Sequence, residues 1–168
     1  MPNLLIAHDE IARAVTRLAQ SINEDYADTD PIILCVLNGG FMFFSDLVRQ
    51  LGILHQLDFV KVSSYGDRQT ADEVQWIWQA RIDVTGRHVI VVDDIIDTGA
   101  TAKFISAALR MKKAKSITWC VLLSKIVNRQ FSIFCPYVGI DIDDHFVYGY
   151  GLDNKGRDRH LLDIYYEK

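Results

Sequence analysis

The chain has 168 residues, 49% of them hydrophobic and 24% charged, with a formal net charge of −4. A chain of that length suits one domain, able to bury roughly 70% of its unfolded surface without a staple of disulfide or structural metal. The mild acidity, with no block of Lys or Arg, excludes a bulk electrostatic case for nucleic acid, and no apolar run approaches the roughly 20 residues of a membrane span.

The opening "MPNLLIAHDEIARAV" is too briefly apolar and too charged for a signal peptide, so a cytoplasmic protein is expected. Residues 8 to 22 place Ile11, Val15, Leu18 and Ile22 at spacings of three and four, which predicts an amphipathic helix. "PIILCVL" (31–37) is continuously apolar and stops at "NGG", as a strand buried on both faces does. "FMFFSDLVRQLG" (41–52) follows as a helix, with Gly52 placed to end it. "HQLDFVKVSSY" (55–65) predicts a strand running into the polar "YGDRQTADE", and "VQWIWQA" (74–80) alternates, with Val74, Trp76 and Trp78 on one face. A third β run, "RHVIVVD" (87–93), leads through an acid-rich turn to a helix over 100–114, and "SITWCVLLS" (116–124) is again a buried strand. Short strands around Tyr137–Ile140 and Phe146–Tyr148 precede a polar tail. Cys35, Cys120 and Cys135 show no C-x-x-C pairing and read as reduced thiols.

Apolar strands alternating with helices predict an α/β fold: an open, mainly parallel sheet with helices on both faces. Ligands of such sheets bind outside the carboxyl ends of the strands. That rule brings Asn38-Gly39-Gly40, the stretch from Asp93 to Thr101, and Lys125 to one edge.

The densest chemistry lies in "VIVVDDIIDTGAT" (89–101). A glycine turn opening a helix presents backbone N–H groups to a phosphate, aided by the helix N-terminus. Thr98 and Thr101 add hydroxyls, and Gly99 permits close backbone approach. The string is neither a Walker loop nor a dinucleotide fingerprint, because no lysine stands at the required place and the acids come first. One acid or Thr here is an ordinary helix cap, but capping does not account for Asp93, Asp94 and Asp97 within five residues. Carboxylates repel a phosphate unless they serve another part of the ligand. Asp93 and Asp94 suit either sugar hydroxyls or a metal that offsets the phosphate charge, and a sugar phosphate meets both requirements.

"VVDDIIDTGAT" resembles the PRPP-binding signature of the type I phosphoribosyltransferases, and is similar above all to their hypoxanthine-guanine branch. "VLNGGFMFFSDL", "DFVKVSSYG", "LLSK" and "FVYGYGLD…RDRHL" resemble that branch in the same order, spanning about residues 33 to 162. The resemblance implies one phosphoribosyltransferase domain over 1–168, with a core over about 8–135. A small hood would form from about 136–168 with the N-terminal residues.

It further implies that Asp93 and Asp94 hold the ribose hydroxyls of PRPP, and that Asp97, Thr98, Gly99, Ala100 and Thr101 wrap its 5′-phosphate. Asp97 would manage the N7 proton of the purine. A modest base suffices there, since N7–H grows more acidic as N9 bonds to the sugar. The loop Leu37-Asn38-Gly39-Gly40 matches the pyrophosphate site, where the family carries a non-proline cis peptide, and Arg159 would meet the same group, with Arg157 its competitor. Asn38 stands where lysine is common in the family, so the backbone donors remain without the positive charge. Ser64 and Tyr65 match the start of a lid.

Lys125 would bond the purine 6-oxo group, Phe146 would stack on the ring, and Val147 and Asp153 would contact its edge. Asp153, Asp93 and Asp94 would serve Mg²⁺, and Arg129 is either structural or phosphate-facing. Read without the resemblance, "NGG" is a plain turn, Lys125 a snorkelling side chain, and Phe146 and Val147 ordinary core. The implied activity is purine salvage: transfer of phosphoribosyl from PRPP to hypoxanthine or guanine, by a homodimer or homotetramer. The rivals are a xanthine-preferring relative and a non-catalytic nucleotide sensor of the same fold.

Overall fold

The computed structural model describes residues 3–64, 74–125 and 130–167. Its elements in chain order are β1 (Asn3–Ile6), α1 (His8–Asp25), β2 (Ile32–Leu37), α2 (Phe41–Val48), β3 (Gln56–Ser64), β4 (Val74–Trp78) and β5 (His88–Ile96). Then come α3 (Ala100–Met111), β6 (Ser116–Lys125), β7 (Tyr137–Ile142), β8 (Phe146–Tyr148) and β9 (Ile164–Glu167). A six-stranded sheet runs β4-β3-β2-β5-β6-β7, and a three-stranded sheet runs β1-β9-β8. The large sheet is parallel except at its β3–β4 edge.

The continuous apolar strands are explained by two cores, one on each face of this sheet. Ile33, Cys35, Ile90, Val92, Cys120 and Leu122 point towards α1 and α2. Their alternates Ile32, Leu34, Val36, Val89, Val91, Trp119 and Val121 point towards Ala102, Ile105 and Leu109 of α3. Because successive strand residues face opposite ways, only an unbroken apolar run fills both cores. Trp119 is fully enclosed and donates its indole N–H to Ser106 Oγ at 2.9 Å. The three cysteines are free thiols. Among the described residues no helix is long and apolar enough to cross a membrane.

The structure differs from the sequence expectation at several elements, and α3 ends at Met111, capped by Lys112, short of the expected 114. Helix α2 stops at Val48, with Arg49 its cap, so Gly52 does not end it; Gly52 instead donates its N–H to Asn23 Oδ1 at 2.9 Å. Strand β7, expected in the hood, pairs in parallel with β6 and extends the large sheet. The expected polar tail forms β9, whose Ile164 is fully buried while it pairs with both β1 and β8. Strand β1 had no distinct signal. Four-residue strands are too short for alternation to show, and their identity is set by the partners they meet.

The edge connection is held by one acid. Asp58 accepts N–H bonds from Phe59 at 2.8 Å, Arg81 at 2.7 Å and Ile82 at 2.9 Å. Burial alone would raise this carboxyl, but the donors from Ile82, Phe59 and Arg81 outweigh it and hold it below the usual 3.8. Its stabilisation is therefore complete above 3.8 and is lost as pH falls through the lower folded value. Asp58→Ala is expected to cost roughly 1–2 kcal/mol at neutral pH, with the difference in Tm from the parent narrowing below about pH 4. A difference that stays constant between pH 7 and pH 3 would contradict this assignment.

Candidate functional site

The chain leaves β2 for β3 on one side and β5 for β6 on the other, so the strand order reverses between β2 and β5. That is where a parallel sheet opens a crevice at its carboxyl ends. A cavity of about 270 Å³ lies there, lined by Leu37, Gly39, Asp93, Asp94 and residues 97 to 102. Leu37 and Asn38 are joined by a cis peptide bond, as the family resemblance implies for this loop. The loop is closed by Gly40 N–H to Val36 O at 3.2 Å and leads directly into α2. Asn38 is exposed at its tip.

Asp93 ends the run of buried residues in β5, and Asp94 follows it half-buried. Burial, with the Asp94 charge beside it, pushes the Asp93 carboxyl well above the usual range. Burial also raises Asp94, countered by a hydrogen bond from Asp93, the Ile95 N–H at 2.7 Å and the charge of Arg159. Burial disfavours charging both of these adjacent carboxyls at once unless a donor or a cation faces them.

The phosphate turn follows. Gly99 caps α3 at φ 87°, a left-handed conformation that favours glycine, and has no side chain to cap the helix itself. The first turn of this twelve-residue helix, Ala100 to Ala102, lines the cavity, and a helix N-terminus is suited to an anion. Thr98 Oγ1 accepts the Ala100 N–H at 3.2 Å, and the Thr98 carbonyl accepts N–H bonds from Gln130 and Phe131. Thr98, Gly99, Ala100 and Thr101 thus line the same cavity as the acid pair.

Beyond the turn, Lys125 at the end of β6 is buried, with Nζ 3.5 Å from Asp97 Oδ2 and 3.2 Å from Asp144 Oδ1. The other Asp97 oxygen, Oδ1, is buried with no partner among the described residues. Phe146 is half exposed on β8, and Val147 is buried beside it.

Arg159 donates to the Gly151 carbonyl at 2.6 Å and to Asp153 Oδ1 at 2.9 Å. Asp153 Oδ2 accepts the Gly156 N–H at 2.7 Å, so both of its oxygens are engaged within the hood. Of the two candidate arginines, the structure brings Arg159 within electrostatic reach of Asp94, and leaves Arg157 exposed beside Lys155 and Glu167. Ser64 closes β3 opposite Val74. Tyr65, the rest of the expected lid to residue 73, and Arg129 lie outside the described residues.

Three participants escaped the sequence reading. Gly151 (φ 99°) presses against the loop from Leu37 to Gly40, since a Cβ there would lie 2.2 Å from the Gly39 carbonyl oxygen. Tyr150 donates its hydroxyl to Asp46 of α2 and so ties the hood to the helix behind that loop. Asp144 is hidden among Asp141 and Asp143, and only its place two residues before Phe146 marks it.

Comparison with known proteins gives the family in which this crevice belongs. A family described as phosphoribosyl transferase domain matches residues 5–155, and the chain belongs to this family. It is 37% identical over 159 residues to the hypoxanthine-guanine phosphoribosyltransferase of Bacillus subtilis, covering 94% of this chain and 88% of that one. It is 35% identical over 161 residues to the hypoxanthine phosphoribosyltransferase of Escherichia coli, covering 94% of this chain and 90% of that one. Among solved structures, a Bacillus anthracis hypoxanthine-guanine phosphoribosyltransferase superposes with a TM-score of 0.94 at 34% identity, over 99% of this chain and 98% of that one.

Proposed function

We propose that the chain is a purine-salvage enzyme that transfers the 5-phosphoribosyl group of PRPP to N9 of hypoxanthine or guanine. The C1′–oxygen bond to pyrophosphate breaks as the C1′–N9 bond forms, and IMP or GMP results. The observation that carries the reading is the pairing of Lys125 with Asp97 at 3.5 Å beside the Asp93–Asp94 crevice. A 6-oxopurine presents an acceptor at O6 next to N7, whereas adenine presents an amino donor in place of O6. A cation adjoining a carboxylate suits the first: Lys125 would donate to O6 while Asp97 accepts the proton leaving N7.

In this reading Asp93 and Asp94 receive the ribose hydroxyls, and the turn from Asp97 to Thr101 receives the 5′-phosphate. Gly39, Asn38 and Arg159 face pyrophosphate, and Phe146 stacks on the base with Val147 at its edge. The donor set fits Mg²⁺, a hard cation that takes one or two carboxylates and completes its shell with substrate oxygens and water. Asp93 and Asp94 would hold it, and their raised proton affinity is what a nearby cation relieves. Bound there, it supplies charge neutralisation to the departing pyrophosphate. Asp153 enters through Arg159, whose guanidinium it anchors.

An oligomer, dimer or tetramer, belongs to the same reading. The apolar side chains Phe43, Phe44 and Leu47 of α2 are buried within the chain. Leu57, Phe59, Ile77 and Trp78 on the neighbouring strands β3 and β4 are 41% to 58% exposed.

The test is incubation with PRPP and Mg²⁺ plus hypoxanthine, guanine, xanthine or adenine in turn, measuring nucleotide formed. Nucleotide from the first two supports the reading. A clear preference for xanthine replaces it with the sister activity, and PRPP binding without pyrophosphate release from any base leaves a sensor. Lys125→Ala is expected to lower the preference for hypoxanthine over adenine by at least about tenfold, because it removes the donor to O6. Unchanged base preference would remove Lys125 from the purine site.

A further inference from the structure

We propose that Asp144 is a positioning residue for the base site: its carboxylate holds the Lys125 ammonium away from full pairing with Asp97 and in place for the 6-oxo group. The inference rests on the functional reading above and assigns a part in it to a residue outside the sugar-phosphate crevice.

Lys125 is the last residue of β6 and pairs in register with Ile142 of β7. Two residues beyond Ile142, in the turn closed by His145 N–H to Asp143 O at 2.8 Å, Asp144 reaches back to the ammonium at 3.2 Å. Asp97 reaches the same nitrogen from the β5–α3 turn at 3.5 Å. The ammonium is therefore a strut between the phosphate turn and the turn that carries Phe146. Lysine offers three N–H donors, so contacts to both carboxylates leave the third for a ligand acceptor. Enclosure strips water from the ammonium, and its contacts to two carboxylates take the place of that water.

The second acid also frees the first. One cation shared between two carboxylates gives neither a full partner, and the longer contact is the one to Asp97. With Asp144 neutral, the ammonium's only anionic partner of the two is Asp97. The contact shortens, the third donor turns away from O6, and the N7 proton acceptor is tied up.

Asp144→Asn keeps the volume and an acceptor oxygen while removing the charge. Wild-type enzyme is assayed first; failure to form nucleotide from PRPP and hypoxanthine overturns the functional reading and this inference together. With active wild type, the variant is expected to raise the KM for hypoxanthine about tenfold and leave the KM for PRPP within about twofold. Asp144→Glu, which restores the charge, is expected to recover part of the loss. A hypoxanthine KM within about twofold of wild type overturns the inference alone, as does a rise in PRPP KM in step with it. A fall in Tm of the Asn variant with both KM values raised assigns Asp144 to the fold instead and also overturns it.

Discussion

Replacing Asp97 by Asn is expected to lower kcat roughly a hundred- to a thousandfold while PRPP affinity changes by less than about threefold. The reason lies in how the two oxygens of this carboxylate are used. Oδ2 faces Lys125 at 3.5 Å, whereas Oδ1 is buried with no donor among the described residues. A buried acceptor without a partner costs about 1–3 kcal/mol, so its retention points to a proton or ligand that arrives later. Asparagine preserves volume and one acceptor oxygen but cannot take a proton. The remaining PRPP contacts, in the proposed reading, come from Asp93, Asp94, the turn amides and the threonine hydroxyls, none of which the substitution alters. Single-turnover kinetics beside a calorimetric titration with PRPP separates the two quantities. Loss of rate and of affinity in parallel would make Asp97 a ligand only.

The parts of this fold legible in the sequence are those where one periodicity had one cause. β2, β5 and β6 read as buried strands because both faces of the sheet are covered, and the amphipathic spacing of α1 matched its single apolar face. The boundaries that failed depended on partners distant in sequence. Gly52 reads as a helix stop from its neighbours, but α2 ends earlier and the segment folds back to Asn23. β9 is strand because β1 and β8 lie on either side of it, which no local pattern in "DIYYEK" states.

The site divides the same way. The acids of β5 and the turn to Thr101 are contiguous, and their excess over what capping requires marks them from residue order alone. Asp144 is one of three acids in four residues, and nothing local separates it from solvated neighbours. Its role depends on the parallel register of β6 and β7, which sets Lys125 opposite Ile142 and so within reach of the following turn. Long-range register is what the sequence conceals.

Gly39→Ala is expected to reduce kcat/KM for PRPP by roughly a hundredfold or more and to lower Tm as well, because a misplacement of about 1 Å at a reacting centre carries that kinetic penalty and an unrelieved overlap costs about 1–3 kcal/mol. The added Cβ would lie 1.7 Å from Asp94 Oδ2 and 2.6 Å from Asp94 Cγ. Asp94 has little freedom to yield, since its Oδ1 accepts the Ile95 N–H at 2.7 Å and its chain is held in β5 between β2 and β6. The loop cannot retreat either. Gly151 backs the Gly39 carbonyl so closely that a Cβ on Gly151 would lie 2.2 Å from that oxygen. A single methyl group therefore forces apart the Leu37–Gly40 loop and the Asp94 carboxylate, which in the proposed reading hold the pyrophosphate and the ribose on either side of the bond being broken. Gly52→Ala is the matched control, because a Cβ there meets nothing within 4 Å. If Gly39→Ala used PRPP as well as Gly52→Ala does, the contact between loop and acid would have no part in the reaction.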